Sequence, residues 1–250
     1  MGATCLFCDN KANSKEHLWP AWILESIQPY STKLLRTQGD SAPREIGAIG
    51  KKNITVKSVC KPCNHGWMSD LETESRPILS PMMHDLIAPL DDQQRHVIAK
   101  WMAKTAMVLG SATAGRKPIF YGKEECENLR SNSAIPDHTL VWLGHYLRSD
   151  LGAWGSQMWL DMQDQAKVAH GCVTTLVIGH LAIQALSIHI RPEYRDRTIS
   201  FRPNSWGFDW ERILSCVWPI TGPIAWPPPL SFQNTGVLSI GSLVVRWRPV

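Results

Sequence analysis

The sequence predicts an α+β protein in two parts. Three observations carry that expectation: two CxxC pairs confined to the first 80 residues, one strong helical pattern around position 100, and a later region of short β-rich runs cut by proline, glycine and asparagine. Pro77 and Pro81 mark the change of character, so residues 1–80 and 81–250 read as separate units.

Cys5 and Cys8 (CLFC) open the first part, and Cys60 and Cys63 (CKPC) close it, with 51 residues between the pairs. Four thiolates in two tight turns match the tetrahedral preference and softness of zinc, so the spacing predicts one structural Zn²⁺ site. Neither pair sits in the strand-to-helix setting of a redox CxxC. Between them, residues 28–52 are polar and rich in Gly, Ser and Thr, and read as an insertion loop. Residues 53–59 (NITVKSV) alternate apolar and polar and are β-branched, which predicts a strand leading into the second knuckle. Residues 66–74 (GWMSDLETE) place Trp67, Met68 and Leu71 at helical spacing, and the helix is expected to stop before Pro77.

The second part opens with a long amphipathic helix. Asp91 or Asp92 caps it, Val97, Ile98, Trp101, Met102, Thr105, Val108 and Leu109 form its apolar face, and Gly110 ends it. Runs at 138–147, 155–162, 171–178, 181–190, 198–201 and 237–246 then predict a mainly antiparallel sheet. The apolar stretch 172–190 contains His180, Gln184, His189 and a Gly179-His180 break, so two buried strands account for it better than a membrane span. His170, His180 and His189 read as satisfied core histidines, and Trp206, Trp210, Trp218 and Trp226 as core filling.

A net charge of +4, from 26 basic and 22 acidic residues, admits a polyanionic partner without requiring one. Seven cysteines are an odd number, which fits a reduced cytoplasm better than a secreted disulfide framework. The start of the chain has no basic region followed by a long apolar run, so no signal peptide is expected and the protein is expected to be cytoplasmic.

Between the knuckles stands SKEHLWP, residues 14–20, where Glu16 and His17 would point to opposite faces of a strand. The order CLFC, KEHLWP, NITVKSVCKPCN, GWMSDLE, covering residues 5–76, resembles the HNH, or ββα-metal, nuclease family, in particular members that carry zinc knuckles. The resemblance implies an N-terminal ββα-metal module with Glu16 as a catalytic metal ligand, His17 as general base, Asn64 as second ligand and Asn53 as the residue that orients the histidine. His65 is a rival for the third position, and Glu72 is the helix acid nearest to reaching the metal. Oxygen ligands favour a hard cation, Mg²⁺ or Mn²⁺. In the implied mechanism that cation meets the charge on the phosphate while neutral His17 takes a proton from the attacking water. Lys15, Lys51, Lys52, Lys57 and Lys61 cluster around these residues in sequence and favour duplex DNA as partner, whereas Trp19 and Trp22 read as core.

The expectation is therefore a metal-dependent DNA endonuclease, serving restriction or defence. Two alternatives stay open: a non-catalytic zinc-stapled nucleic-acid-binding protein, and a sensor in residues 81–250 that gates a latent nuclease.

Overall fold

The structure, a computed structural model, describes residues 3–27, 32–38, 44–48, 55–114, 119–162, 165–194, 201–202, 210–232 and 248–249. Asn53, Lys51, Lys52, Trp206 and the whole of the expected run 237–246 lie outside them.

The first knuckle is closed by backbone bonds, Cys5 N to Asn10 O at 2.8 Å and Ala12 N to Ala3 O at 2.8 Å. Strand β1 (Ser14–His17) follows and pairs antiparallel with β4 (Thr55–Val59), Glu16 opposite Val56 and His17 opposite Thr55. Helix α1 (Ala21–Ser26) buries Trp22 and Ile23. Trp19 is fully buried as well, so both early tryptophans are core residues, as expected. The segment 28–52, expected to be a loop, instead contains strands β2 (Thr32–Gln38) and β3 (Arg44–Ala48). Its polar composition hid them, because β2 is recruited by pairing parallel to a strand of the second part rather than by an alternation of its own.

From the second knuckle a helical path runs through α2 (Lys61–Cys63), a wider turn at Asn64–Met68 and α3 (Ser69–Met83), with a kink at Gly66. Helix α3 passes through Pro77 and Pro81, where a stop was expected. A proline inside a helix costs about 3 kcal/mol, and burial of Leu71, Leu79, Met82 and Met83 on one face outweighs it. Ser80 thus falls inside α3.

Helix α4 (Asp92–Ala114) is the long helix that the pattern predicts, but it runs past Gly110, where an end was expected, and it is not amphipathic in place. From 97 to 109 every residue except Lys100 is buried. It is the central rod of the molecule. One side of it joins Leu18, Trp19, Leu79 and the sheet residues Leu176, Ile178 and Ile183 in the main hydrophobic cluster, while Ala103, Ala106 and Met107 join the cysteine knuckles, Phe120 and Leu129 in another. Residues from both sides of Ser80 therefore share one core. Helix α5 (Lys123–Asn132) covers the knuckle side, its Lys123 Nζ donating to Cys5 O at 3.1 Å.

The sheet is organised by one long hairpin, β5 (Thr139–Met162) with β6 (Gln165–Ile190). Four expected strands are thus two, each continued across its glycine. Strand β7 (Phe201–Arg202) comes next, then α6 (Trp210–Ile213), β8 (Leu214–Trp218), β9 (Ser231–Phe232) and β10 (Arg248–Pro249). The order β3-β2-β5-β6 forms the sheet, with β8 antiparallel and β9 parallel to the first third of β5, and β10 pairs with β7 separately. Pairing is mainly antiparallel, with β2 and β9 as the parallel additions. No helix of the described residues is long and apolar enough to cross a membrane.

Candidate metal centre

Two strands and one helix bring the cysteine pairs together. Leu6 N donates to Ser58 O at 2.8 Å, which locks the first knuckle onto β4, and Lys61 N donates to Asn13 Oδ1 at 3.0 Å across the second. The four sulfurs of Cys5, Cys8, Cys60 and Cys63 lie within 4.8 Å of one another, and all four residues are buried. Sγ of Cys8 is 3.5 Å from that of Cys60 and 3.6 Å from that of Cys63. Four sulfurs at about 2.3 Å from a tetrahedral zinc stand roughly 3.8 Å apart, so these residues could hold one such ion. Backbone N–H groups already face the sulfurs: Phe7 N to Cys5 Sγ at 3.4 Å and Cys63 N to Cys60 Sγ at 3.5 Å. Phe7 and Trp67 pack edge to face at 4.9 Å in the same core cluster as the cysteines.

The thiols differ in acidity. Burial pushes Cys63 and Cys5 up. Burial also acts on Cys60, but the backbone N–H of Cys63 and the thiols of Cys8, Cys63 and Cys5 outweigh it and bring Cys60 down to about 7. Cys60 therefore gives up its proton more readily than Cys5 or Cys63, and a dication among the four would displace the remaining protons.

Beside this cluster the expected catalytic residues divide. On β1 the side chains alternate, with Ser14 and Glu16 buried, Lys15 and His17 exposed. Glu16, only 5 % exposed, faces the core, where Lys104 Nζ of α4 lies 3.8 Å from its Oε1 and 3.0 Å from Oε1 of Glu72 on α3. Lys104 is itself 2 % exposed. Asn64 does reach β1, its Nδ2 donating to Ser14 Oγ at 2.8 Å and Lys15 O at 3.2 Å, so it clamps the strand to the start of the helical path. The Glu16 carboxyl thus faces the Lys104 ammonium, and the Asn64 amide nitrogen serves the strand. Glu72 does approach Glu16, through Lys104, while His65 and the helix acids Asp70 and Glu74 are exposed.

Lys104 carries a sequence signal of its own. Trp101, Lys104, Thr105 and Val108 follow the i, i+3, i+4, i+7 pattern, and a lysine on an apolar stripe needs a buried counter-charge.

The same cluster makes stability depend on pH. Burial pushes the Glu16 carboxyl up from 4.5 to about 7, Lys104 opposing and Glu72 adding to the rise. The folded chain therefore keeps a proton that the unfolded chain releases, and the stability this contributes is full below pH 4.5 and lost as the pH rises through 7. Two to three pH units of retention correspond to about 3 kcal/mol. Urea unfolding at pH 4.5 and 8 should show the parent losing about that much more than Glu16→Gln, whose amide cannot ionise. Parallel losses in the two proteins would contradict the buried-acid assignment.

No family model matches the chain, and neither a curated protein nor a solved structure matches it.

Proposed function

We propose that the chain is a DNA endonuclease that hydrolyses phosphodiester bonds from a zinc-stapled ββα unit composed of β1, β4 and the helical path that ends in α3. The observation that carries this reading is the arrangement around β1. The strand is paired with β4, clamped by Asn64 at the exit of the second knuckle, and ends with His17 turned to solvent. This supports the order strand, strand, knuckle, helix of the ββα-metal nucleases, with its histidine accessible to a substrate.

In this reading Cys5, Cys8, Cys60 and Cys63 hold one structural Zn²⁺, which fixes the hairpin on the helix. His17 takes the proton from the attacking water as the P–O bond to one sugar oxygen breaks, and that oxygen regains a proton from solvent. The exposed Lys15, Lys57 and Lys61, on β1, β4 and the knuckle, meet the phosphate charge of duplex DNA. Glu16, Lys104 and Glu72 act as a positioning cluster that ties β1 to α3 and α4. Seven cysteines without a disulfide among them suit a reducing compartment, the cytoplasm.

The capture of Glu16 by Lys104 favours a second reading, a non-catalytic zinc-stapled DNA-binding protein. One assay separates the two. Supercoiled plasmid is incubated with parent and His17→Ala proteins of equal zinc content, with and without Mg²⁺ or Mn²⁺, and binding to a labelled duplex is measured in parallel. The nuclease reading expects nicked and linear products from the parent and a roughly 10²- to 10⁴-fold slower reaction from His17→Ala. Equal rates would remove His17 from the mechanism, and duplex binding by a parent that never cuts would select the second reading.

A further inference from the structure

A second group of ligand-type side chains lies away from the knuckles, where the end of α3 meets the β5–β6 hairpin. We propose that Asp85, His145 and His180 form a site for a first-row transition dication, with Zn²⁺ the best match to two imidazoles and one carboxylate. This assignment is independent of the nuclease reading.

The backbone converges on the site from three directions. Asp85 follows α3 in the left-handed conformation, φ 61°, with Leu86 N bonded to Pro81 O at 2.9 Å and Asp85 N to Met82 O at 3.4 Å. That is a Schellman-type helix end, with aspartate where glycine is usual. His145 and His180 stand on β5 and β6 beside an irregularity: between the pairs His145–Leu181 and Asp150–Gly179, β5 has residues 146–149 where β6 has His180 alone. Bulges of this kind re-aim side chains. Gly179, φ +61°, lets the strand approach so closely that a Cβ there would stand 2.3 Å from Met83 O, which sets Asp85 within reach of His180.

One ligand atom from each of the three residues lies within 4.8 Å of the others. The outer nitrogens are already engaged. His180 Nδ1 is 2.9 Å from the carbonyl oxygen of Tyr146, which can only accept, so Nδ1 carries the proton and Nε2 of the neutral ring keeps its lone pair. His145 Nδ1 is 2.6 Å from Ser231 Oγ. His145 is only 6 % exposed, and its buried Nε2 makes no hydrogen bond although Asp85 Oδ1 is 2.7 Å away. The oxygen sits off the direction of a ring N–H, as expected if nitrogen and oxygen both point at a shared third position. Bond lengths of about 2.0 Å to zinc place two such ligands roughly 3.3 Å apart. The side chain of Asp85, 53 % exposed, can open by that amount. A Ser231–His145–Asp85 proton relay is the competing use of these atoms. It needs an aligned Nε2–H bond to the acid and leaves His180 without a part.

Full-length protein loaded with Zn²⁺ and dialysed should carry two equivalents per chain by elemental analysis, against one for Asp85→Ala and for His180→Ala. Ser231→Ala should keep the second ion with affinity weakened roughly 10- to 100-fold, as for other outer partners of ligand histidines. With Co²⁺, the second equivalent should add absorption without the thiolate charge-transfer band of the first. One equivalent in the parent would overturn the proposal whether or not a variant folds, as would a folded His180→Ala that still takes two.

Discussion

Stripping zinc with a strong chelator, or replacing Cys60 with serine, is expected to unfold the N-terminal hairpin and with it much of the chain. Zinc in a four-thiolate site contributes on the order of 10 kcal/mol to folding, comparable to the whole stability of an ordinary domain. Apart from the thiolates, the region is held by apolar packing on α4 and by the Glu16–Lys104 pair. β1 and β4 form a sheet of two short strands, which is marginal alone, and the segment that links the knuckles is 51 residues long. The knuckle core consists of the cysteines with Phe7, Val56, Val59 and Met68 against Ala103, Ala106 and Met107 of α4. With the cysteines unligated, buried thiols would face that helix, and the hairpin that carries His17 would lose its anchor. Circular dichroism during heating, with and without chelator, should show a shift of tens of degrees. An unchanged melting curve would mean that the apolar contacts suffice.

Gly179→Ala is the single substitution away from the knuckles expected to cost most. Its φ of +61° disfavours any L side chain by about 1–2 kcal/mol, and the new methyl would stand 2.3 Å from the carbonyl oxygen of Met83. That neighbour is backbone at the end of α3, so relief requires helix and strand to separate along a contact that also includes Ile27. A loss of about 3 kcal/mol or more is expected in urea unfolding, together with release of the ion assigned to Asp85, His145 and His180. A change within about 0.5 kcal/mol, the usual range for surface positions, would show that the two elements can part freely.

Where the signal was local, the sequence was readable. The cysteine spacing named all four members of the buried cluster, the strand ahead of Cys60 formed at Thr55–Val59, and the alternation of Glu16 and His17 across β1 followed from strand geometry. What was not local stayed hidden. β2 owes its place to parallel pairing with β5, more than a hundred residues away, and β3 follows by pairing with β2. Helix α4 has polar residues in its pattern, so it read as one-sided, although Lys104 and Arg95 are buried by making specific bonds: Lys104 to Glu72, and Arg95 to the carbonyls of Cys216 and Gly222. The buried counter-charge of Glu16 is 88 positions further along the chain, beyond the reach of any local pattern. The trio Asp85, His145 and His180 has no sequence spacing at all, since it exists only where a helix end, a bulge and a glycine meet.

One ion bound by four thiolates is expected to fix the hairpin to the helix. Zinc-edge X-ray absorption on the His180→Ala protein, which should retain only the knuckle ion, tests it most directly. A single shell of four sulfurs at about 2.3 Å is expected. A shell containing nitrogen or oxygen, or a purified protein that binds no zinc, would contradict it.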